Sequence, residues 1–137
     1  MAAELFVDTS AWYPLAVSRE PAHGAVTRAL RERIRHGARV VTTNLVVAET
    51  HALLLRRTTR AAALAFVRHV AQPPTVVVHA TPELDAQAVA EWLDPYDDQD
   101  FSFADAVSFA VMTGRRIQEA LTLDHHFVAA GFRALPT

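Results

Sequence analysis

The sequence predicts an α/β fold in which helices cover both faces of a mostly parallel central sheet. Three observations point there. Short apolar runs rich in β-branched residues recur along the chain, too short for buried helices and without the alternation of a half-solvated strand. Between them lie Ala-, Leu- and Arg-rich stretches with helical spacing. Strands alternating with helices build parallel sheets covered on both sides. Finally, 137 residues, 51% of them hydrophobic and 20% charged, with no repeat, low-complexity tract or long linker, read as one compact domain over 1–137.

Taken in order, Leu5-Phe6-Val7 is the first candidate strand, followed by helical patterns over 10–17 and 22–37. Val40-Val41-Thr42 is the second strand, with helices predicted over 45–57 and 59–71. Val76-Val77-Val78 is the third, after which Pro82-Glu83 reads as a helix start, since proline is tolerated in a first turn and an acid favours the positive end of the dipole. That helix is predicted over 83–93 and the next over 103–113, with a looser strand between Ile117 and Leu123.

Composition removes several function classes. The absence of cysteine excludes a disulfide scaffold, Cys-ligated metal sites and thiol catalysis, and fits a reducing cytoplasm. The absence of lysine excludes Walker-type ATPases, Schiff-base enzymes and receiver domains. The opening stretch MAAELFVDTSAWYPLAV is broken by Glu4 and Asp8 and has no basic leader, so neither a signal peptide nor a membrane span is expected. A net charge of −2 conceals an asymmetry: ten arginines face five acids before residue 82, and three face ten after it. That pattern permits an anionic partner on one surface and a cation site on another.

Four acids stand in apolar company. Asp8 directly follows the first strand and Asp124 follows Leu121-Thr122-Leu123. Both positions suit an N-cap, and both are where parallel sheets place ligands. Glu49 lies in a stretch from Asn44 to Leu55 that is apolar almost all round, so it is expected to be buried. It would then need an ion pair, with Arg56 or Arg57 for instance, a proton or a metal. Asp105 stands three residues after Ser102, the spacing of a capping box, on the helix face of Phe109 and Met112. Four unpaired carboxylates packed together would raise one another's pKa values. A hard divalent cation with oxygen ligands, Mg²⁺ or Mn²⁺, removes that conflict and suits phosphodiester hydrolysis.

The succession of Phe6-Val7-Asp8-Thr9-Ser10-Ala11-Trp12, Glu49, Phe101-Ser102-Phe103-Ala104-Asp105-Ala106 and Leu123-Asp124-His125-His126-Phe127 resembles the PIN-domain ribonucleases, above all the VapC-like toxins of bacterial toxin–antitoxin pairs. The match runs from Leu5 to about Phe132, and its specificity lies in four motifs in the right order. The resemblance implies a PIN-like three-layer α/β/α sandwich and a Mg²⁺- or Mn²⁺-dependent endoribonuclease. Its catalytic and metal-binding quartet maps to Asp8, Glu49, Asp105 and Asp124, with Ser10 supporting the first aspartate and Asp100 as an additional outer acid. In the family a divalent ion activates water for in-line attack on phosphorus, leaving 5′-phosphate and 3′-hydroxyl ends. The resemblance further implies an RNA substrate, a small antitoxin covering the acidic groove, a homodimer and a cytoplasmic location away from membranes.

Two basic runs, Arg28, Arg31, Arg33, Arg35, His36 and Arg39, and then Arg56, Arg57, Arg60 and Arg68, are either solvated helix faces or tracks for a phosphate backbone. Trp12 and Tyr13 are expected in the core or an oligomer contact, and His125 and His126 in solvent-facing or structural roles. With no HExxH spacing, a zinc hydrolase has no support. A non-catalytic PIN-like scaffold binding RNA or protein is the competing reading. An aspartyl-phosphate phosphatase of the haloacid dehalogenase type is excluded, because Ser10 stands where its second aspartate belongs and its lysine is missing.

Overall fold

In a computed structural model, residues 3–137 are described, so the first two residues of the opening stretch lie outside the description. Five strands form one sheet in the order β3-β2-β1-β4-β5: β1 (Glu4–Val7), β2 (Arg39–Thr43), β3 (Thr75–Val78), β4 (Glu119–Leu121) and β5 (Arg133–Leu135). Every neighbouring pair is parallel, as buried β-branched strands require. The helices are α1 (Thr9–Ala16), α2 (His23–Arg35), α3 (Asn44–Arg57), α4 (Arg60–Val70), α5 (Pro82–Ala88), α6 (Phe103–Arg115) and α7 (His126–Ala129). Helices α1 to α4 pack on one another, α5 to α7 do likewise, and the sheet lies between the two groups. No helix of the described residues is long and apolar enough to cross a membrane.

Local chemistry accounts for the element boundaries. Thr43, Thr59, Thr81 and Ser102 each cap a helix by accepting from the backbone N–H three residues on. Pro82 occupies the first position of α5, as its sequence predicts. The predicted helix over 83–93 is continuous but changes pitch, with a π-helical segment at Val89–Leu93 that carries Trp92 into the core. The strand predicted loosely over 117–123 is only three residues long, because Ile117 packs as a buried turn and Thr122 to Asp124 leave the sheet. Both β5 and α7 escape sequence reading. Their three and four residues are too few to show a period.

The core is built on Phe6, Val7, Val40, Val41 and Leu121 of the sheet. On the α6 side Phe109 is ringed by Trp92, Phe101, Phe127 and Phe132, with centroids 5.0 to 5.6 Å away. On the α1 side Trp12 is buried against Phe66, and its indole N–H donates to Thr42 Oγ1 at 3.4 Å. Trp12 and Tyr13 are therefore core residues. The amino ends of the strands carry the charge: Arg39 and Arg115 both bond Glu4, while Arg33 and Arg133 both pair with Glu119. Half of the first basic run is thus spent on ion pairs at the end of the sheet opposite the strand carboxyl ends.

Candidate active site

The strand order reverses between β1 and β4, so a crevice opens beyond their carboxyl ends, the usual ligand position in an open parallel sheet. Asp8 stands there as the residue after β1. Its backbone N–H donates to Leu121 O at 3.1 Å, and its side chain caps α1 by accepting from Ser10 N–H at 3.3 Å. Capping and site membership, alternatives in the sequence, coincide in one residue. Asp8 is only 5% exposed, and burial pushes its carboxyl up to about 6. Hydrogen bonds from Ser10 oppose that rise and the neighbouring Asp105 charge adds to it.

Two hydroxyls hold Asp8. Ser10 Oγ donates to Asp8 Oδ2 at 2.8 Å and Thr122 Oγ1 to the same oxygen at 3.2 Å. The two hydroxyls lie 3.1 Å apart, and each also accepts a backbone N–H, Ser10 from Leu123 and Thr122 from Asp124, at 2.8 and 3.0 Å. Ser10 is thus bonded directly to the Asp8 carboxyl. Thr122, absent from the sequence reading, is 3% exposed and ties the loop after β4 to Asp8. A hydroxyl between two leucines was its only signal.

Asp105 forms the predicted capping box: Ser102 Oγ accepts its N–H at 3.0 Å, and its Oδ2 accepts Ser102 N–H at 3.1 Å. The shorter aspartate side chain suffices here. The same Oδ2 lies 3.1 Å from His126 Nδ1, and Asp124 Oδ1 accepts the His126 N–H at 2.9 Å. His126 thus stands between two aspartates, a structural placement, whereas His125 is exposed. Asp8, Asp105 and Asp124 come together at the crevice, and all their bonds from these side-chain and amide donors fall on one carboxyl oxygen each.

Glu49 does not fit its expectation. It is exposed, because α3 buries Val46, Thr50 and Leu54 and turns Ala48 and Glu49 to solvent. Among the described residues it has no ion pair, with Arg56 and Arg57 or otherwise. Thr50, the next residue, donates to Thr9 Oγ1 at 3.1 Å and so anchors this turn of α3 beside the start of α1. Asp100 lies exposed in the loop before α6 and makes no side-chain hydrogen bond among the described residues. The second basic run stays on the surface, with Arg57 stacked 5.7 Å over the Tyr13 ring.

A parallel α/β sandwich with carboxylates gathered at its switch point defines a nuclease-like class of fold and site. The PIN domain family model matches residues 5–133, and the chain belongs to that family. It is 40% identical over 128 residues to the 23S rRNA-specific endonuclease VapC20 of Mycobacterium tuberculosis, covering 93% of this chain and 95% of that protein. The crystal structure of VapC20, a sarcin-ricin loop cleaving toxin, superposes with a TM-score of 0.85 at 39% identity over 93% of this chain and 95% of that one. VapBC2 from Rickettsia felis, bound to a DNA fragment from its promoter, shares the fold, with a TM-score of 0.71 at 7% identity over 96% of each chain.

Proposed function

We propose that this chain is a divalent-metal-dependent endoribonuclease, the toxin of a toxin–antitoxin pair, working as a single PIN-like domain in the cytoplasm. The observation that supports it most is the convergence of Asp8, Asp105 and Asp124, each held by donors on one oxygen and keeping the other for a ligand. An all-carboxylate donor set suits Mg²⁺ or Mn²⁺. The burial that lifts the Asp8 pKa is what a cation would offset. Glu49, exposed on α3 one residue before the Thr50 that bonds Thr9, is the fourth donor of this reading, and Asp100 is an outer acid. When bound, the ion supplies a Lewis acid for water and for charge growing on the scissile phosphate.

The chain's own groups do the positioning. Ser10 and Thr122 fix the Asp8 carboxyl, the Ser102 capping box fixes Asp105, and the turn at His126 fixes Asp124. The 23S rRNA cut by VapC20 is the first substrate to test. A small antitoxin over the crevice and a second copy of the chain are the expected partners. The test incubates purified protein, freed of partners, with rRNA and tRNA in Mn²⁺, Mg²⁺ or EDTA, beside Asp8→Asn. Metal-dependent products lost in the variant are expected. Neither cleavage nor metal-dependent stabilisation would leave a non-catalytic scaffold.

A further inference from the structure

His126 is not one of the four acids, yet it is held tightly in the site. Its side chain is 19% exposed, with Nδ1 3.1 Å from Asp105 Oδ2 and 3.5 Å from Asp124 Oδ1. Its backbone N–H donates to that same Asp124 oxygen. The ring meets Phe101 edge-on, centroids 5.4 Å apart at 83°, and Phe101 stands against Phe109 in the aromatic cluster. The imidazole therefore has little freedom to turn, and its one nitrogen close to both carboxylates is fixed there by packing. Carboxylate oxygens only accept, so contact on this side places the ring hydrogen on Nδ1.

We propose that His126 is a positioning residue whose Nδ1–H holds Asp105 on α6 while its backbone N–H holds Asp124 after β4, so that it sets the spacing between their carboxyls. Its functional meaning rests on the nuclease reading above. The opposing assignment is a metal ligand, since Asp124, His125 and His126 offer ligand atoms within 4.8 Å of one another. Two features favour the donor. Nδ1, the ring nitrogen nearest both aspartates, already faces Asp105, a bond it would surrender by binding the ion itself, and His125 is 85% exposed with its Nδ1 3.8 Å from Asp124. A group that hydrogen-bonds ligating carboxylates orients them, and losing such a partner typically costs about 10–100-fold in metal affinity.

The experiment compares the full chain with His126→Phe, which keeps the ring against Phe101 but lacks the donor, and His126→Asn, whose amide N–H lies near the position of Nδ1. Mn²⁺ affinity is measured by calorimetry, kcat and KM on rRNA, and the ring tautomer by ¹⁵N NMR in EDTA. Expected are hydrogen on Nδ1, an affinity about 10–100-fold weaker in His126→Phe with kcat falling more than KM changes, and substantial recovery in His126→Asn. A bare Nδ1, unchanged Mn²⁺ affinity in a folded His126→Phe, or His126→Asn as impaired as His126→Phe would each overturn the proposal. Should His126→Phe fail to fold, the tautomer and His126→Asn decide alone. A wild-type chain that neither binds Mn²⁺ nor cuts RNA would bring down the nuclease reading and this inference with it.

Discussion

Replacing Asp8 by Asn should make the metal-free protein more stable, an unusual outcome for a buried, hydrogen-bonded residue. In the native chain burial lifts this carboxyl from 3.8 to about 6, so ionising it opposes folding. Well below pH 3.8 the group is protonated in both folded and unfolded chains and costs nothing; from there to about 6 the unfolded chain releases the proton while the native state holds it, and stability falls. The shift corresponds to about 3 kcal/mol by pH 7.5. Asparagine keeps an oxygen for Ser10 and Thr122 and carries no charge. With an unfolding entropy of about 2.1 cal/mol/K per residue, that relief raises Tm by roughly 10 °C. Calorimetry of both proteins in EDTA at pH 4.5 and 7.5 is the assay, read as a difference. The subtraction matters because Glu4 and Glu119, whose pKa values their arginines lower, stabilise the fold in the opposite sense as pH rises. Millimolar Mn²⁺ should then stabilise the wild type and not the variant. A variant less stable than wild type at pH 7.5, or a gap equal at both pH values, would refute the reasoning.

Three further outcomes are expected. Thr122→Val removes the hydroxyl shared by Asp8, Ser10 and the Asp124 amide, and should cost about 1–3 kcal/mol in denaturant unfolding and slow RNA cleavage. Glu49→Gln, at an exposed position, should leave the unfolding free energy unchanged to within about 0.5 kcal/mol while weakening Mn²⁺ binding measured by calorimetry. Arg116 caps α6 in the left-handed region at φ 59°, so Arg116→Gly should stabilise the protein by about 1 kcal/mol in urea unfolding.

The layers, strands β1 to β4 and six of the helices were legible because each repeats a pattern over several residues, as Val76-Val77-Val78 and the stretch from Asn44 to Arg57 do. The direction in which a helix turns was not. The run around Glu49 reads as apolar on every side, and only the packing of Val46, Thr50 and Leu54 decides which side faces water. Asp8, Ser10, Asp105 and Asp124 were visible because strand ends and capping spacings are local. Thr122 and His126 were missed because their importance lies in contacts with Asp8 and Asp105, distant along the chain.

Three of the four acids hold the chain's own structure as well: Asp8 caps α1, Asp105 closes the Ser102 box, and Asp124 receives the amide of His126. A descendant that lost its chemistry would still need a capping oxygen at each position, which asparagine supplies as well as aspartate, so folding alone would preserve the acceptors and not their charges. Glu49 has no such second duty among the described contacts. If the proposed metal role of Glu49 holds, its side chain is free to drift once activity is no longer selected, which makes that one position on α3 the more informative marker of a working copy.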